Sequence, residues 1–377
     1  MNTTISLCMI FKNESHNLHR CLQSVQGFVN QIIVVDTGSE DNTVEIARSY
    51  GAEVYFFEWC DDFAAARNYS LSFATGDWIL ILDADEKLII GDREVISNTL
   101  GSSLDLQAFA LPLVCIDDIH QNVAPGILPR LFHNFLNISY CGVFHEVPCD
   151  TSGKPILFYK YLDLHDNLKI EHYGYNVDNL KQKTLNRNIP ILEKERESQG
   201  LNFLQLFALF DAYQKTAQTE KAEECYNEAF ERLFPYLIEQ TKPEDLTGAM
   251  NFVYCIGKRA AAHQDHDTLA LVCQTGLIWE PDSPYINYLT GVLLTDWGFT
   301  LGAISYFEEC LKIGQETTSL NVLVNQSLMR ELPAYTIGCN YQKLGNKVAA
   351  LEAFALALQF NPSYEAARDK INELQKQ

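Results

Sequence analysis

The second half of the chain repeats a pattern of small and aromatic residues, and such repetition constrains the architecture more than local propensity does. The last unit contains Gly338, Tyr341, Gly345, Ala350 and Phe354. An earlier unit has matching residues at four of these places: Gly291, Gly298, Ala303 and Phe307. Small residues let two antiparallel helices approach closely, while aromatic rings fill the groove between them. The pattern therefore predicts stacked helical hairpins.

Two weaker units lie farther upstream. One contains Gly257 and Pro281, and the other contains Tyr213, Ala222, Tyr226 and Ala229. The last unit continues with Ala357 and Pro362, and its offsets match the tetratricopeptide pattern, whose period is about 34 residues. Residues 236–249 and 316–330 break the strict period, so we expect an extra helix or loop in some hairpins.

Short apolar runs alternate with amphipathic stretches in the first quarter of the chain. The runs predicted as strands are Ile5–Phe11, Gln31–Val35, Glu53–Phe57 and Trp78–Leu82. The predicted helices are Asn13–Val25, Thr43–Tyr50, with Ser39 or Asp41 as its cap, and Phe63–Ala74. This alternation is typical of βα units with a largely parallel sheet. Farther on, Ala108–Ile116 and Arg130–His133 predict a mixed-sheet extension.

The composition shifts toward helix formers beyond Asn176, and Lys181–Ser198 is predicted to be a long helix. The chain has 377 residues, enough for two or three domains of roughly 100–200 residues each. We expect an α/β domain over 1–178, a linker helix over 179–201 and an all-α, tetratricopeptide-like domain over 202–377.

Charge and cysteine usage exclude several classes of protein. The chain has 28 Lys and Arg against 49 Asp and Glu, a formal net charge of -21, which disfavours a general nucleic-acid binder. Its 11 cysteines are dispersed without a Cys-x-x-Cys pair, as expected of reduced thiols in a cytoplasmic protein. We expect no transmembrane segment and no secretory signal, and peripheral membrane attachment stays open.

The clearest chemical signal is Asp83-Ala-Asp85-Glu86, directly after an apolar strand. Carboxylates at the carboxyl edge of a parallel sheet can hold Mg²⁺ or Mn²⁺ and leave coordination positions for diphosphate oxygens. The alternative is an acidic turn that caps a helix. Polar clusters also follow the first two predicted strands, at Lys12–Glu14 and Asp36–Ser39, and Arg67 and Asn68 precede the fourth strand. Together they predict a nucleotide pocket.

Four segments, in this order and spacing, resemble a family 2 inverting glycosyltransferase of the GT-A fold: Cys8–Glu14, Ile33–Ser39, Ala65–Asn68 and Leu82–Glu86. The resemblance covers residues 1–175, and the attached repeats are similar to the subgroup that includes the bacteriocin S-glycosyltransferases. It implies a Rossmann-like, mixed but mostly parallel sheet. It also implies hexose transfer from a nucleotide-diphosphate sugar, with UDP the expected nucleotide and Mn²⁺ or Mg²⁺ the cofactor.

The resemblance implies a nucleoside site at the ends of the first two strands. Asp36 would contact the base, and the residues around Phe11 and Glu14 would line the pocket. Aspartate before Gly38 also suits a turn, so a turn-forming role is the alternative for Asp36.

The resemblance also assigns residues to the diphosphate, the sugar and the metal. Arg67 would face the base or the diphosphate, with a surface position on its helix as the alternative. Asp83 would contact the ribose or the sugar, and Asp85 would bind the metal. His172, in the segment Glu171–Tyr175, could complete the metal shell or contact the diphosphate, because neutral imidazole is an accepted Mn²⁺ ligand. The alternative for His172 is a structural histidine whose hydrogen bonds are satisfied within the fold.

Two later segments resemble further motifs of the family, Arg130-Leu-Phe132 and Gly142–Glu146. Arg130 would belong to the nucleotide-sugar site. Inverting transfer needs a base that deprotonates the acceptor, and Glu146 is the candidate. His145 would position the acceptor or the diphosphate; the alternative for this pair is an exposed loop.

Three readings of function stay open. The first is a glycosyltransferase. Its appended repeats favour a peptide or protein acceptor, or dimerisation through the repeats, and a saccharide acceptor stays open too. A nucleotidyltransferase shares the α/β topology but would show a Gly-rich loop after the first strand, where this chain has Phe11-Lys-Asn-Glu14. The third is a non-catalytic scaffold that uses only its repeats.

Overall fold

The structure, a computed structural model, describes residues 3–102, 108–116, 126–156, 162–173, 181–316 and 326–376. The described residues fall into two compact units, one up to Gln199 and one from Gly200 onward. The predicted boundaries at 178 and 201 stay predictions, and the helix before Gln199 belongs to the first unit.

The first unit is built on a mixed sheet. Its strands are β1 Ile5–Phe11, β2 Gln31–Asp36, β3 Glu53–Phe56, β4 Trp78–Ile81, β5 Glu86–Ile90, β6 Ala108–Cys115, β7 Gly126–His133 and β10 Leu168–His172. They lie in the order β3-β2-β1-β4-β7-β6-β10-β5. The pairs among β1, β2, β3 and β4 are parallel, as is β6 with β10, whereas β7 and β5 run antiparallel to their neighbours. A separate antiparallel ribbon joins β8 Ser139–Cys141 to β9 Val147–Cys149.

The helices of the first unit that the structure describes are short. They are α1 Leu18–Val25, α2 Thr43–Ser49, α3 Phe63–Leu71, α4 Arg93–Ser102, α5 Leu162–Asn167 and α6 Ile189–Ser198. Helix α1 buries Leu18, Cys21, Leu22 and Val25, the spacing of a single apolar face. Helix α3 begins after Asp62, whose side chain accepts the Ala65 N–H.

Both faces of the central strands are buried, as in other parallel sheets. Leu7, Met9 and Leu80 pack on one side with the apolar face of α1. Cys8, Ile33 and Ile79 pack on the other side. This explains why continuous apolar runs, rather than alternating ones, marked these strands in the sequence.

Some predicted element boundaries are wrong. The first helix begins at Leu18 rather than Asn13, because Asn13 has φ +54° and its N–H donates to Ser39 Oγ instead of starting a helix. Of the two predicted caps of α2, Ser39 is wrong. Asp41 lies one residue before the capping position, Asn42, and its side chain makes the capping bond that Asn42 lacks, because Asp41 Oδ1 accepts the Thr43 N–H at 3.0 Å.

The predicted helix over residues 181–198 is confirmed, with a π-helical turn at Thr184–Asn188 before α6. Pro190 follows this turn. Proline has no N–H and its ring crowds the carbonyl four residues earlier, so a helix that continues through it must widen or kink. The π-helical turn is this widening, and it lets the helix continue through Pro190.

The regular secondary structure described in the second unit consists of helices, as predicted. Its helices are α7 Phe203–Lys215, α8 Thr219–Glu239, α9 Leu246–Ala262, α10 His266–Trp279, α11 Pro284–Asp296, α12 Thr300–Glu316, α13 Glu331–Lys343, α14 Lys347–Phe360 and α15 Glu365–Lys376. A 3₁₀ turn at Gln326–Met329 precedes α13. None of the described helices is long and apolar enough to cross a membrane.

Two of the hairpins repeat one packing relationship. A Cβ atom on Gly291 would lie 2.6 Å from the Phe307 ring, and one on Gly338 would lie 2.5 Å from the Phe354 ring. Each pair joins the two helices of one hairpin, α11 with α12 and α13 with α14. Only glycine leaves room for the ring, so the small-residue and aromatic pattern has the packing role that the sequence predicted.

Candidate active site

The loops after β1 and β2 lie side by side at the carboxyl edge of the sheet. Phe11 and Asp36, the last residues of the two strands, are in register. The Asn13 N–H donates to Ser39 Oγ at 2.9 Å, and Asn13 Oδ1 accepts the Glu40 N–H at 2.8 Å. These bonds fix the two loops together, as a nucleotide pocket at this edge requires.

Asp36 forms the turn that was the alternative reading. Its carboxylate is buried and accepts the Ser39 N–H, with Oδ1 at 3.0 Å and Oδ2 at 3.2 Å. The Phe11 ring packs in the apolar core, and its carbonyl accepts bonds from Thr37 N and Oγ1. Contact of Asp36 with a base, and of the loop after Phe11 with a nucleoside, stay predictions.

Glu14 lies at the same edge and is mostly buried. Its Oε2 accepts from Asn17 Nδ2 at 2.9 Å, and its Oε1 accepts from Lys183 Nζ at 3.1 Å. Lys183 belongs to the helical segment before α6. That segment therefore reaches the predicted nucleoside pocket.

Asp83 lies between two arginines at the centre of the site. Arg67 Nη2 donates to Asp83 Oδ1 at 2.8 Å, and Arg130 Nη2 donates to Asp83 Oδ2 at 3.1 Å. The other ends of the network are Glu146, whose Oε1 is 2.5 Å from Arg67 Nε, and Glu86, whose Oε1 is 2.6 Å from Arg130 Nη2. Predicted residues from four separate segments thus form one ion-pair network.

Both arginines are buried, with only 7% of Arg67 and 8% of Arg130 exposed. The surface alternative for Arg67 is therefore wrong. Burial alone would lower the pKa of Arg67, but the Asp83 and Glu146 carboxylates raise it well above its usual value. The same arginines hold the pKa of Asp83 below its usual range against the opposing effect of burial. Burial raises the pKa of Glu86, although Arg130 opposes this.

Asp83 to Asp85 form a tight connection from β4 to β5, and no helix follows, so the helix-capping alternative is wrong. Strand β5, which the sequence analysis did not predict, begins at Glu86. The Glu86 carboxylate also accepts the Asp83 N–H at 2.8 Å. Because Glu86 is fixed in the sheet, it orients Asp83 through both this bond and Arg130.

A second contribution that the sequence analysis missed comes from Tyr140 in β8. The Arg67 guanidinium lies 5.5 Å from the centre of the Tyr140 ring. Asn68 exchanges two bonds with the Tyr140 backbone, at 2.9 Å through Nδ2 and at 2.6 Å through Oδ1. The resemblance pointed to Asn68, but nothing in the sequence indicated its partner.

The loop Gly142–Glu146 carries the predicted catalytic pair. Gly142 and His145 have positive φ angles of 95° and 54°. His145 is exposed, while Glu146 turns inward to Arg67. Among the described residues, Arg67 bonds to Oε1 of the Glu146 carboxylate, and no hydrogen bond or ion pair is formed by Oε2. The exposed-loop alternative thus fits His145 and is wrong for Glu146.

Asp85 and His172 form the predicted metal pair. His172 Nε2 lies 3.5 Å from Asp85 Oδ2, and the Asp85 carbonyl accepts the Tyr173 N–H at 2.9 Å. Burial would lower the pKa of His172, but hydrogen bonds to Asp85 and Cys115 and nearby carboxylates raise it to about 10.

The geometry of this pair fits a divalent cation with few protein ligands. Two neighbouring ligands of an octahedral ion with bonds of about 2.1 Å lie about 3 Å apart, close to the separation of Asp85 and His172. Among the described residues no cluster of three or more His, Cys, Asp or Glu is arranged to hold a metal. A cation here would need further ligands from substrate and water, and His172 would have to lose its proton first.

Arg187, in the π-helical turn, also lies near these groups, although the sequence analysis assigned it no role. The carboxylates of Glu14, Asp85, Glu146 and Asp83 all act on it electrostatically. The helix was predicted from its composition, but the π turn that contains Arg187 was not predicted.

Comparison with known proteins gives a family match in the N-terminal region. Residues 6–92 match the family model for glycosyl transferase family 2. Together with the mixed, mostly parallel sheet, this match confirms the predicted GT-A type of α/β fold and the predicted family resemblance.

Two curated relatives cover about half of this chain. A TPR repeat-containing protein of Synechococcus elongatus is 39% identical over 186 residues, 48% of this chain and 44% of the relative. The glycosyltransferase SunS of Bacillus phage SPbeta is 31% identical over 197 residues, 51% of this chain and 44% of the relative. The chain thus spans less than half the length of either relative.

Solved structures show only a distant likeness. Glucosyl-3-phosphoglycerate synthase from Mycobacterium tuberculosis, in complex with Mn²⁺, UDP and glucosyl-3-phosphoglycerate, is 24% identical and covers 30% of this chain and 44% of its own. The TM-score is 0.25, too low to carry an argument about the site.

Proposed function

Because residues 6–92 match the family 2 glycosyltransferases, we propose that this protein transfers a hexose from a nucleotide-diphosphate sugar to an acceptor, with inversion at C1. One observation carries the proposal. Asp83, oriented by two buried arginines, lies next to the Asp85–His172 pair at the carboxyl edge of the sheet. Open α/β sheets bind their ligands at this edge.

The donor would bind with its nucleoside toward the loops after β1 and β2 and its sugar toward Asp83. UDP is the nucleotide that the family resemblance favours. Arg67 and Arg130 act as positioning residues in this scheme, because each already donates to two carboxylates. Asp83 keeps a third of its side chain exposed, so a sugar or ribose hydroxyl can still donate to its remaining lone pairs.

Mn²⁺ or Mg²⁺ would be held by Asp85 and His172, the two side chains whose separation fits neighbouring ligands. When bound, the cation neutralises charge on the departing diphosphate. His172 must be neutral to act as a ligand, so its proton is exchanged for the metal.

Glu146 is the proposed base. It would take the proton from an acceptor hydroxyl or thiol as the acceptor atom bonds to C1 and the bond from C1 to the diphosphate oxygen breaks. Its Oε1 is held by Arg67, so Oε2 is the atom that would receive the proton. His145, exposed on the same loop, would position the acceptor.

The helical unit would select the acceptor or pair two copies of the chain. Stacked helical hairpins form concave surfaces that bind extended peptides, so we propose a peptide or protein acceptor ahead of a saccharide. No two of the described cysteines form a disulfide, which agrees with the proposed reducing, cytoplasmic location.

The test is a thermal-shift panel on the full chain with UDP-, GDP-, ADP- and dTDP-sugars, each with and without Mn²⁺. A ligand at 100 times its dissociation constant stabilises the folded state by about 2.7 kcal/mol, so a clear rise in Tm is expected for one donor, larger with Mn²⁺. If no nucleotide-sugar raises the Tm, the proposed function is wrong.

A further inference from the structure

Arg187 differs from the other two arginines of the site in its ion pairing. Arg67 and Arg130 each donate to two carboxylates. Arg187 Nε donates to the Asn188 amide oxygen at 2.9 Å, and within the described part of the chain no carboxylate oxygen lies within 4 Å of its guanidinium. It is therefore a half-buried cation at the site without an ion pair among those residues.

The Arg187 guanidinium has a fixed aromatic support. Its central carbon lies 5.1 Å from the centre of the Phe63 ring. Phe63 in turn packs edge to face with Trp59 at 4.8 Å and Phe144 at 5.9 Å, and its N–H donates to the Val143 carbonyl at 3.1 Å. Stacking on a ring orients an arginine and leaves the N–H groups at its edge available to a ligand.

The surroundings of Arg187 are acidic. Burial lowers its pKa, and the charges of Glu14, Asp85, Glu146 and Asp83 oppose that effect. These carboxylates make the pocket repel an anion unless cations are placed to receive it. Arginine stays charged even when half buried, and its planar fork matches the oxygens of a phosphate.

We infer that Arg187 binds the diphosphate of the nucleotide-sugar donor; this inference rests on the proposed function. Phe63, which supports Arg187, packs on Phe144 of the loop that carries Glu146, and Lys183 of the same helical segment bonds to Glu14 at the proposed nucleoside pocket. The helical segment before α6 therefore belongs to the donor site, although its position in the chain suggested only a linker.

The experiment measures binding by calorimetry to the full chain with Mn²⁺, for wild type, Arg187→Gln and Arg187→Lys. The probes are the nucleoside diphosphate that the thermal-shift panel selects, its nucleoside and inorganic diphosphate. Charged hydrogen bonds contribute about 1.5–3 kcal/mol, so Arg187→Gln should weaken nucleoside-diphosphate binding by roughly 10- to 150-fold and leave nucleoside binding unchanged. Arg187→Lys should recover part of the loss, because it keeps the charge without the fork.

The matched control is Arg48→Gln, on an exposed arginine of α2, which should leave all three affinities unchanged. If Arg187→Gln binds the nucleoside diphosphate as wild type does, the inference is overturned while the proposed function stands. A rise in the KM for acceptor alone would also overturn it. If wild type binds no nucleoside diphosphate, the proposed function itself fails. If Arg187→Gln does not fold, Arg187→Lys is tested instead. Weaker binding of the nucleoside diphosphate with unchanged nucleoside binding supports the inference, and wild-type affinity for both overturns it.

Discussion

Arg67 Nε lies 2.5 Å from Glu146 Oε1, so a buried arginine of α3 holds the carboxylate that is the candidate base. The two residues are 79 positions apart in the chain. The same guanidinium also holds Asp83, so the proposed base and the proposed sugar ligand share one positioning residue. Stability and activity should therefore be coupled at Arg67.

Replacing Arg67 by methionine should destabilise the protein strongly. Removing one partner of a buried ion pair typically costs about 3–5 kcal/mol, because the carboxylates left behind stay buried without a counter-charge. Urea unfolding measures the change. The control is Arg259→Met, which removes an exposed pair with Glu223 at 2.7 Å and should cost no more than about 1 kcal/mol. Equal losses for the two variants would contradict the buried network.

Replacing Glu146 by glutamine separates its two roles. If Glu146 is the base, kcat should fall by about 10²- to 10⁴-fold. The Tm should fall less than in Arg67→Met, because the amide oxygen can still accept from Arg67 and Asp83 still pairs with the guanidinium. Steady-state kinetics with saturating donor measure the effect. A kcat within threefold of wild type would assign Glu146 to positioning only, and His145→Gln, expected to raise the acceptor KM, serves as the comparison on the same loop.

Asp85→Asn and His172→Gln should each weaken Mn²⁺ binding in the presence of nucleoside diphosphate. Each change removes one of only two proposed protein ligands, so we expect a loss of at least tenfold, on the order of what altering a metal site typically costs. Titration followed by electron paramagnetic resonance of free Mn²⁺ reports the affinity directly. Asp369→Asn, on an exposed aspartate of α15, is the control. Unchanged Mn²⁺ affinity in both site variants would place the cation elsewhere.

The sequence predicted the central strands well because their information is local. Strand β1 has the predicted bounds, and β2 and β4 end within one residue of them. Strand β5 was missed, because a short run such as Leu88-Ile89-Ile90 is ambiguous by itself. It is a strand through its pairing with β10, with Glu86 opposite His172, a contact that no local pattern encodes.

In the candidate site, too, local motifs indicated the residues, whereas their pairings depend on the fold. The motifs pointed to Asp83, Asp85, Arg67 and Glu146, and the structure brings these residues together. Which carboxylate each arginine holds could not be predicted, because it depends on distances between segments far apart in the chain. Arg187 is a further case, because its stacking on the Phe63 ring joins two residues that lie far apart in the chain.

The link between the loops after β1 and β2 should depend on pH through Asp41. Burial disfavours its charged form, but hydrogen bonds from Thr43 and Ser15 outweigh this and lower the pKa of Asp41 to about 2. The folded state therefore binds fewer protons than the unfolded state, whose Asp pKa is about 3.9. The stability that Asp41 contributes is complete above the unfolded pKa and is lost as the pH falls through about 2.

Asp41→Asn should thus cost about 1 kcal/mol at pH 7, after allowance for solvent screening. The difference from wild type should shrink as the pH is lowered from 5 to 3. Urea unfolding at pH 7, 5 and 3 measures it, with Asp369→Asn as a control that removes an exposed carboxylate. A difference that does not change with pH would show that the Asp41 charge is not what stabilises these loops.

The repeated glycine and phenylalanine contact makes a sharp prediction for the helical unit. In Gly338→Ala the new methyl would meet the Phe354 ring at 2.5 Å, and overpacking of this kind costs about 1–3 kcal/mol. Gly302→Ala is the matched control, because this exposed glycine of α12 has Leu294 as its nearest neighbour, at 3.6 Å from the added Cβ. At this position alanine, with its higher helix propensity, should raise the free energy of unfolding by about 0.5–1 kcal/mol. Thermal unfolding of the two variants should therefore shift in opposite directions, and a shift of the same sign in both would contradict the hairpin packing.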